Sequence, residues 1–295
     1  METIRFPSDG RKSRFSLLNI LDTRTGRVRL LRRFEGVAEA PNWLSKTDRL
    51  LFNAGGRIYT IDLHTARVDP VDTGACLGCN NDHVVSPGER LLAVSDSGVA
   101  DGVFTSRIYI LPLEGGEPRL VTPDSPSFLH GWSPDGEELC YCAFREHDGR
   151  LETDVYAIPA AGGRERRLTF GGFNDGPEYS PDRKYIWFNS TRSGLMQLWR
   201  MGRDGSDPRQ MTFSRRNNWF GHVSPDGRQV AYISYREGDL APDEHLPDKE
   251  VELRLMDADG GNDRAVLPLC GGQGSMNVNS WCADSRRLAF MSYEL

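Results

Sequence analysis

The phrase Ser-Pro-Asp-Gly, whole or worn, occurs six times along the chain, each time between two runs of strand-forming residues. It reads SKTD at Ser45, SPGE at Ser86, SPDG at Ser133, SPDR at Ser180, SPDG at Ser224 and CADS at Cys282. Successive copies stand 41, 47, 47, 44 and 58 residues apart, the period of a four-stranded propeller blade. Proline presets φ at the first corner of a tight turn, aspartate tolerates the second, and glycine takes the left-handed position that follows. One strand must end before each phrase and another begin after it.

The runs that follow, such as LLAVSD from Leu91, ELCYCAF from Glu138 and YIWFNS from Tyr185, alternate apolar and polar residues as a half-buried strand requires. A second refrain comes next, exemplified by RIYILPLEGGEPRLV from Arg107, and reads as a hairpin. A blade is therefore strand a, the turn phrase, strand b, a loop, then strands c and d. After the sixth phrase the chain has only strand b left. The missing pair is supplied by RFSLLNILDTRTGRVRLLRRF, residues 14–34.

The predicted fold class is all-β: a six-bladed β-propeller of four-stranded antiparallel blades, closed by N-terminal strands that complete the last blade. Residues 14–34 give the outer strands of that blade and residues 270–295 its inner strands. The other blades occupy 36–74, 76–123, 125–170, 171–213 and 214–269. Closure removes the edges that an open array would expose.

LHGWSPDGEELCYCAF from Leu129 and GGRERRLTF from Gly162 resemble the TolB-type repeats also found in the propeller domains of prolyl oligopeptidases. The resemblance covers nearly the whole chain and implies the fold; this repeat serves scaffolds, binding proteins and some enzymes. With 295 residues the chain is filled by one propeller, leaving no room for the hydrolase domain of the oligopeptidases. Its start, METIRFPSDGRKSRF, has no apolar export-type segment, so a cytoplasmic protein without a membrane partner is expected. The net charge of −6, from 36 Lys and Arg against 42 Asp and Glu, argues against nucleic acid. Six cysteines include a single C-x-x-C, Cys76 to Cys79. They read as reduced structural thiols, the alternative being a redox pair or metal ligands acting with His83.

Blade geometry sorts the possible chemistry. The phrases lie on one rim, and strand a enters beside the central channel from the other. Three residues before each phrase stand Asn42, His83, His130, Pro177, Gly221 and Asn279, with Asp82, Asp175, Glu178, His222 and Asn277 nearby. Three of the six histidines thus fall at one channel mouth, where they could hold a divalent metal (Mn, Ca or Zn), work as acid and base, or simply tie loops together. Arg145, Arg192 and Arg236 end successive b strands; a guanidinium there would grip a carboxylate or pair with the next blade's acidic loop. Trp219 and Phe220 are expected to face the channel as an aromatic platform. Trp43, Trp132, Tyr179 and Trp281 are expected to wedge between blades.

Two functions follow. One is a binding module that takes a small molecule or protein partner at the channel mouth and its long rim loops. The other is an enzyme acting on an acidic sugar, since oligogalacturonate lyases are similar in fold and repeat and hold a metal through His and Gln. That resemblance would make His83, His130, His222 and Gln273 ligands, with the histidines, Arg192 and Arg236 as catalytic candidates. Asn42, Asp82, Asp175, Glu178, Trp219, Phe220, Asn277 and Asn279 would contact the ligand. The segment GQGSMNVNSW departs from the lyases, with Asn277 and Asn279 where imidazoles would be expected. The fifth blade's insertion, EGDLAPDEHLPDKE at 237–250, reads as a lid or as a solvated loop carrying His245.

Overall fold

The computed structural model describes residues 3–295; residues 1 and 2 of the predicted domain lie outside the described residues. Blade one is β3 (Glu39–Leu44), β4 (Arg49–Ala54), β5 (Arg57–Asp62) and β6 (Val68–Pro70). Blade two is β7 (Cys79–Val85), β8 (Leu91–Ala100), β9 (Val103–Pro112) and β10 (Arg119–Leu120). Blade three is β11 (Ser127–Trp132), β12 (Glu138–His147), β13 (Arg150–Pro159) and β14 (Arg166–Arg167). Blade four is β15 (Asn174–Tyr179), β16 (Tyr185–Ser190), β17 (Gln197–Gly202) and β18 (Arg209–Gln210). Blade five is β19 (Asn217–Val223), β20 (Gln229–Tyr235), β21 (Lys249–Asp257) and β22 (Arg264–Gly271). No helix occurs among the described residues, and so none long enough to cross a membrane.

The sixth sheet joins the chain ends. β1 (Phe15–Asp22) lies between β2 (Val28–Glu35) and β23 (Arg287–Glu294), antiparallel to both. Its register with β23 runs from Phe15 opposite Glu294 to Asp22 opposite Arg287. The innermost strand of this blade is reduced to one bridge, Trp281 to Leu288. Leu18, Phe34, Trp43, Phe52 and Met291 pack the closing sheet onto blade one. Leu21, Trp219, Ile233, Trp281 and Phe290 pack it onto blade five.

The turn phrase works as its chemistry requires. The fourth residue of every copy is left-handed: Gly136 and Gly227, but also Asp48, Glu89, Arg183 and Ser285. The serine Oγ accepts the backbone N–H five residues on, at 2.9 Å for Ser133 with Glu138 and for Ser180 with Tyr185. The same hydroxyl donates to the phrase's aspartate, at 2.6 Å for Ser180 with Asp182 and 2.7 Å for Ser224 with Asp226.

Each of the five full inner strands carries a register shift midway, as between Asp175 and Glu178 or between Trp219 and His222. A bulge frees backbone groups and re-aims side chains. Here acceptors on the preceding blade take up backbone donors at or beside the bulge: Asn42 Oδ1 for Val85, Ser95 Oγ for Leu129, Asn189 Oδ1 for Phe220 and Glu178 Oε1 for Val223, at 2.8–3.1 Å. Trp132 and Trp281 wedge between blades and donate their indole N–H at 3.0 Å to the carbonyls of Val84 and His222. Trp281→Phe, which removes the donor and part of the buried indole while keeping an aromatic ring, is expected to cost at least about 1 kcal/mol. Denaturant midpoints would measure it, and an unchanged midpoint would refute a structural role for that bond.

Candidate functional site

The bulges point side chains from blades two to five into a cavity of about 250 Å³ at the channel mouth. Part of its lining is polar. Asn80, Asn81 and Asp82 come from β7, His130 from β11 and Asp175 from β15, with Gln273 and Asn277 from the broken inner segment of blade six. The lining also holds Phe128, Phe144, Phe173 and Phe220, with Cys142 beside them, and Phe220 stacks on His130 at 6.1 Å between centroids. These rings belong to a continuous series: Phe104 to Phe128 at 6.3 Å between centroids, Phe128 to Phe144 at 5.9 Å, Phe144 to Phe173 at 6.3 Å and Phe173 to Trp219 at 6.3 Å.

The 237–250 insertion reaches this cavity through His245, while Glu237, Asp239, Asp243, Glu244 and Leu246 stay exposed, so the segment covers the cavity and is solvated on its outer side. His245 reaches down so that its ring stands 4.4 Å from Trp219 and 5.3 Å from Phe220, centroid to centroid. Its Nδ1 meets Gln273 Oε1 at 2.6 Å and its Nε2 lies 3.6 Å from Asp175. The lid is held by Tyr235 Oη donating to Leu246 O at 2.9 Å and by the Lys12 N–H donating to Asp248 at 2.9 Å. Trp219 is therefore sealed beneath the lid rather than presented to the channel.

The predicted site residues separate into two tiers. Asp82, His130, Asp175, Phe220, Gln273 and Asn277 meet around the cavity. Asn42, His83, Glu178, His222 and Asn279 lie nearer the turn phrases and bind one another or the backbone. His222 Nδ1 pairs with Glu178 at 2.6 Å, while its Nε2 meets the Met276 carbonyl at 2.9 Å. Asn279 donates to Glu178 at 2.7 Å, and Asn42 donates to the Asn279 carbonyl at 2.6 Å. His83 is fully buried against the Asn80 carbonyl at 3.2 Å, and burial pushes its pKa down to about 4, leaving it neutral.

The residues do not fit a metal. Both nitrogens of His222 are occupied, His83 is shut away from the cavity, and no group of three or more His, Cys, Asp or Glu side chains among the described residues is arranged to hold an ion. The expected ligands His83, His130, His222 and Gln273 are not brought together: the imidazoles serve different partners, and only His130 and Gln273 line the cavity. The arginines also lie elsewhere. Arg145 pairs with Glu165 at 2.9 Å, Arg192 donates to Asn174 at 3.0 Å, and Arg236 pairs with Glu250 at 2.9 Å. None of them lines the cavity. All six cysteines are free; burial pushes Cys76 and Cys79 up to about 12, so neither is a ready thiolate.

The electrostatics centre on Asp82, His130 and Asp175. Burial opposes charge on His130, but the 3.1 Å contact with Asp175 and the charges of Asp82 and Asp175 outweigh it, and its pKa rises. Burial likewise opposes charge on Asp175, but His130 and His245 hold its carboxyl well below the ordinary range. His245 is pushed down by burial. Asp82, 6% exposed, is raised to about 7, chiefly by burial and then by Asp175 and Glu39, against the pull of His130. A carboxyl balanced near neutrality in a cleft is a feature of functional sites. Sequence reasoning missed His245 and most of the phenylalanine wall. Leu240, an apolar residue within an acidic insertion, was the available sign that this loop packs inward.

The TolB β-propeller domain model, PD40, matches residues 104–243. An uncharacterized protein of Agrobacterium fabrum is 42% identical over 280 residues, covering 94% of this chain and 92% of that one. A structure determined under the TolB name from Agrobacterium tumefaciens superimposes with TM-score 0.89 at 42% identity, covering 97% of this chain and all of the other. The Tol-Pal system protein TolB of Anaeromyxobacter dehalogenans is 33% identical over 155 residues, half of this chain but only 34% of that protein. An oligogalacturonate lyase solved with manganese shares the fold alone, with TM-score 0.52 and 13% identity over 90% of this chain and 72% of its own. Repeat, ring closure and relatives agree that the chain belongs to the TolB-like β-propeller family.

Proposed function

We propose that this protein is a binding module that holds a ligand in the channel-mouth cavity beneath its lid and meets a protein partner on the same rim. The observation that carries the reading is the covered cavity itself, lined both by polar groups and by four phenylalanines. Two long hairpins, β8–β9 and β12–β13, stand beside it and expose Val99 (74%), Phe104 (52%) and Leu151 (71%) to solvent. Exposed apolar side chains on a long rim hairpin mark a contact surface. Phe104 stacks on cavity-lining Phe128, so a partner on the hairpins would sense what the cavity holds. An acidic sugar is a poor fit, because no arginine or lysine lines the cavity while Asp82 and Asp175 do. Six unpaired cysteines support a cytoplasmic setting.

Phe144→Trp, which adds ring volume to the cavity wall, is expected to weaken ligand binding about ten-fold while the fold persists. Saturation-transfer NMR against a mixed library of small amines, acids and sugars measures it. Ligands that bind the variant as well as the parent would place the binding site elsewhere.

A further inference from the structure

The cavity has an unmet electrical requirement. Its polar groups and those just behind them include three acidic side chains, Asp82, Asp175 and Glu39, and two basic ones, His130 and Arg11. Arg11 is committed to Glu39, which also accepts from Asn53 at 3.2 Å. His130 is committed to Asp175, whose carboxylate also accepts the Gly176 N–H at 2.7 Å. Asp82 is left over. Its backbone N–H donates to Asn80 at 2.9 Å, yet its carboxylate accepts no hydrogen bond from any described residue. Asp82 is only 6% exposed and lines the cavity, so its carboxylate, with no donor among the described residues, is left to whatever enters there.

The aromatic part of the lining narrows the choice of partner. Phe128, Phe144, Phe173 and Phe220 offer aromatic faces and edges without a polar atom. Aromatic faces attract cations, and an ammonium group supplies up to three donors to a carboxylate. Two independent features, an orphan acid and an aromatic wall, thus converge on one ligand chemistry. Resting on the binding-module reading above, we infer that the ligand is a protonated amine carried on an apolar or aromatic body, with the ammonium on Asp82 and the body against the phenylalanines. Burial disfavours charge on His245, which covers the cavity from above. The amine could be a free small molecule or the basic end of a partner segment; the cavity reads the shared ammonium.

Titration supports the assignment. In the free protein Asp82 loses its proton near pH 7, facing His130, Asp175 and Glu39. An ammonium binds the ionised form, so affinity rises with pH up to about 7 and falls about ten-fold for each unit below.

Calorimetry at pH 8 with three matched probes tests this: 2-phenylethylammonium, 2-phenylethanol and 3-phenylpropionate. The ammonium is expected to bind at least about ten-fold tighter than either other probe, with Asp82→Asn abolishing that preference. Asp82→Asn is nearly isosteric and expected to fold well at pH 8, so a lost preference would not be a folding artefact. Tighter binding of 3-phenylpropionate would overturn the cationic class while leaving a binding cavity in place. Binding of none of the three at millimolar concentration would overturn both. An ammonium preference that survives Asp82→Asn would overturn the role of Asp82.

Discussion

Replacing His130 with alanine is expected to destabilise the protein by about 3–5 kcal/mol at pH 5.5, the cost of stranding a buried charge. Asp175 is only 7% exposed and relies on His130 Nε2 at 3.1 Å; the Gly176 N–H and a distant His245 cannot replace that partner. The pH dependence follows from both members. The depressed Asp175 pKa contributes stability above the ordinary carboxylate value of 3.8, lost as pH falls through its folded value. The raised His130 pKa contributes stability below 6.5, lost as pH rises through its folded value. Both are fully present between 3.8 and 6.5, so the deficit of His130→Ala should peak there and shrink at pH 9. Urea unfolding at pH 5.5 and 9 reads this, and equal deficits at both would show that His130 acts only by filling space. The double variant His130→Ala with Asp175→Ala should lose less than the sum of the singles, as coupled neighbours do.

Asp82→Asn should move stability the other way. A carboxyl raised to about 7 is bound to its proton more tightly in the folded chain than in the unfolded one. Folding stability therefore falls as pH climbs from 3.8 to about 7 and stays low above it. Some three pH units at about 1.4 kcal/mol each give a penalty of about 4 kcal/mol at pH 8, which the amide does not incur. The variant should match the parent at pH 4 and exceed it clearly at pH 8, as read by denaturant midpoints. If the parent is as stable as Asp82→Asn at pH 8, the carboxylate is not held against its own burial. A group that weakens the fold and improves binding is the usual trade at a functional site.

The ring was legible because its determinants are local. Each turn phrase needs a left-handed fourth residue and a serine hydroxyl five residues before a strand, and both follow from a few adjacent residues. Even the worn copies, with Asp48, Glu89, Arg183 or Ser285 in the glycine place, keep that geometry. Interblade wedging by Trp132 and Trp281 was legible for the same reason: a large ring at a fixed distance before the phrase.

The site was legible only as a list of positions. Counting back from the phrase put Asp82, His130, His222 and Glu178 at one channel, but not at one level. The bulge in each inner strand decides which of them meets the cavity, since a one-residue slip reverses a side chain's face. At Phe220, left-handed at φ 58°, such a bulge stores strain of order 1–3 kcal/mol. It persists because Asn189 of the preceding blade accepts the Phe220 N–H. No inspection of residues near Phe220 could supply that acceptor, 31 positions away.

From the chain alone came the six blades, their closure through the amino-terminal hairpin and the channel-mouth address of the acidic and imidazole side chains, because periodic turns and alternation are short-range properties. Only the assembled ring decided that His222 would be consumed by Glu178, that His245 would close over Trp219, and that Asp82 would line the cavity with no donor among the described residues. Those outcomes depend on contacts between residues tens to hundreds of positions apart, where burial and a neighbour's charge set the protonation of each group.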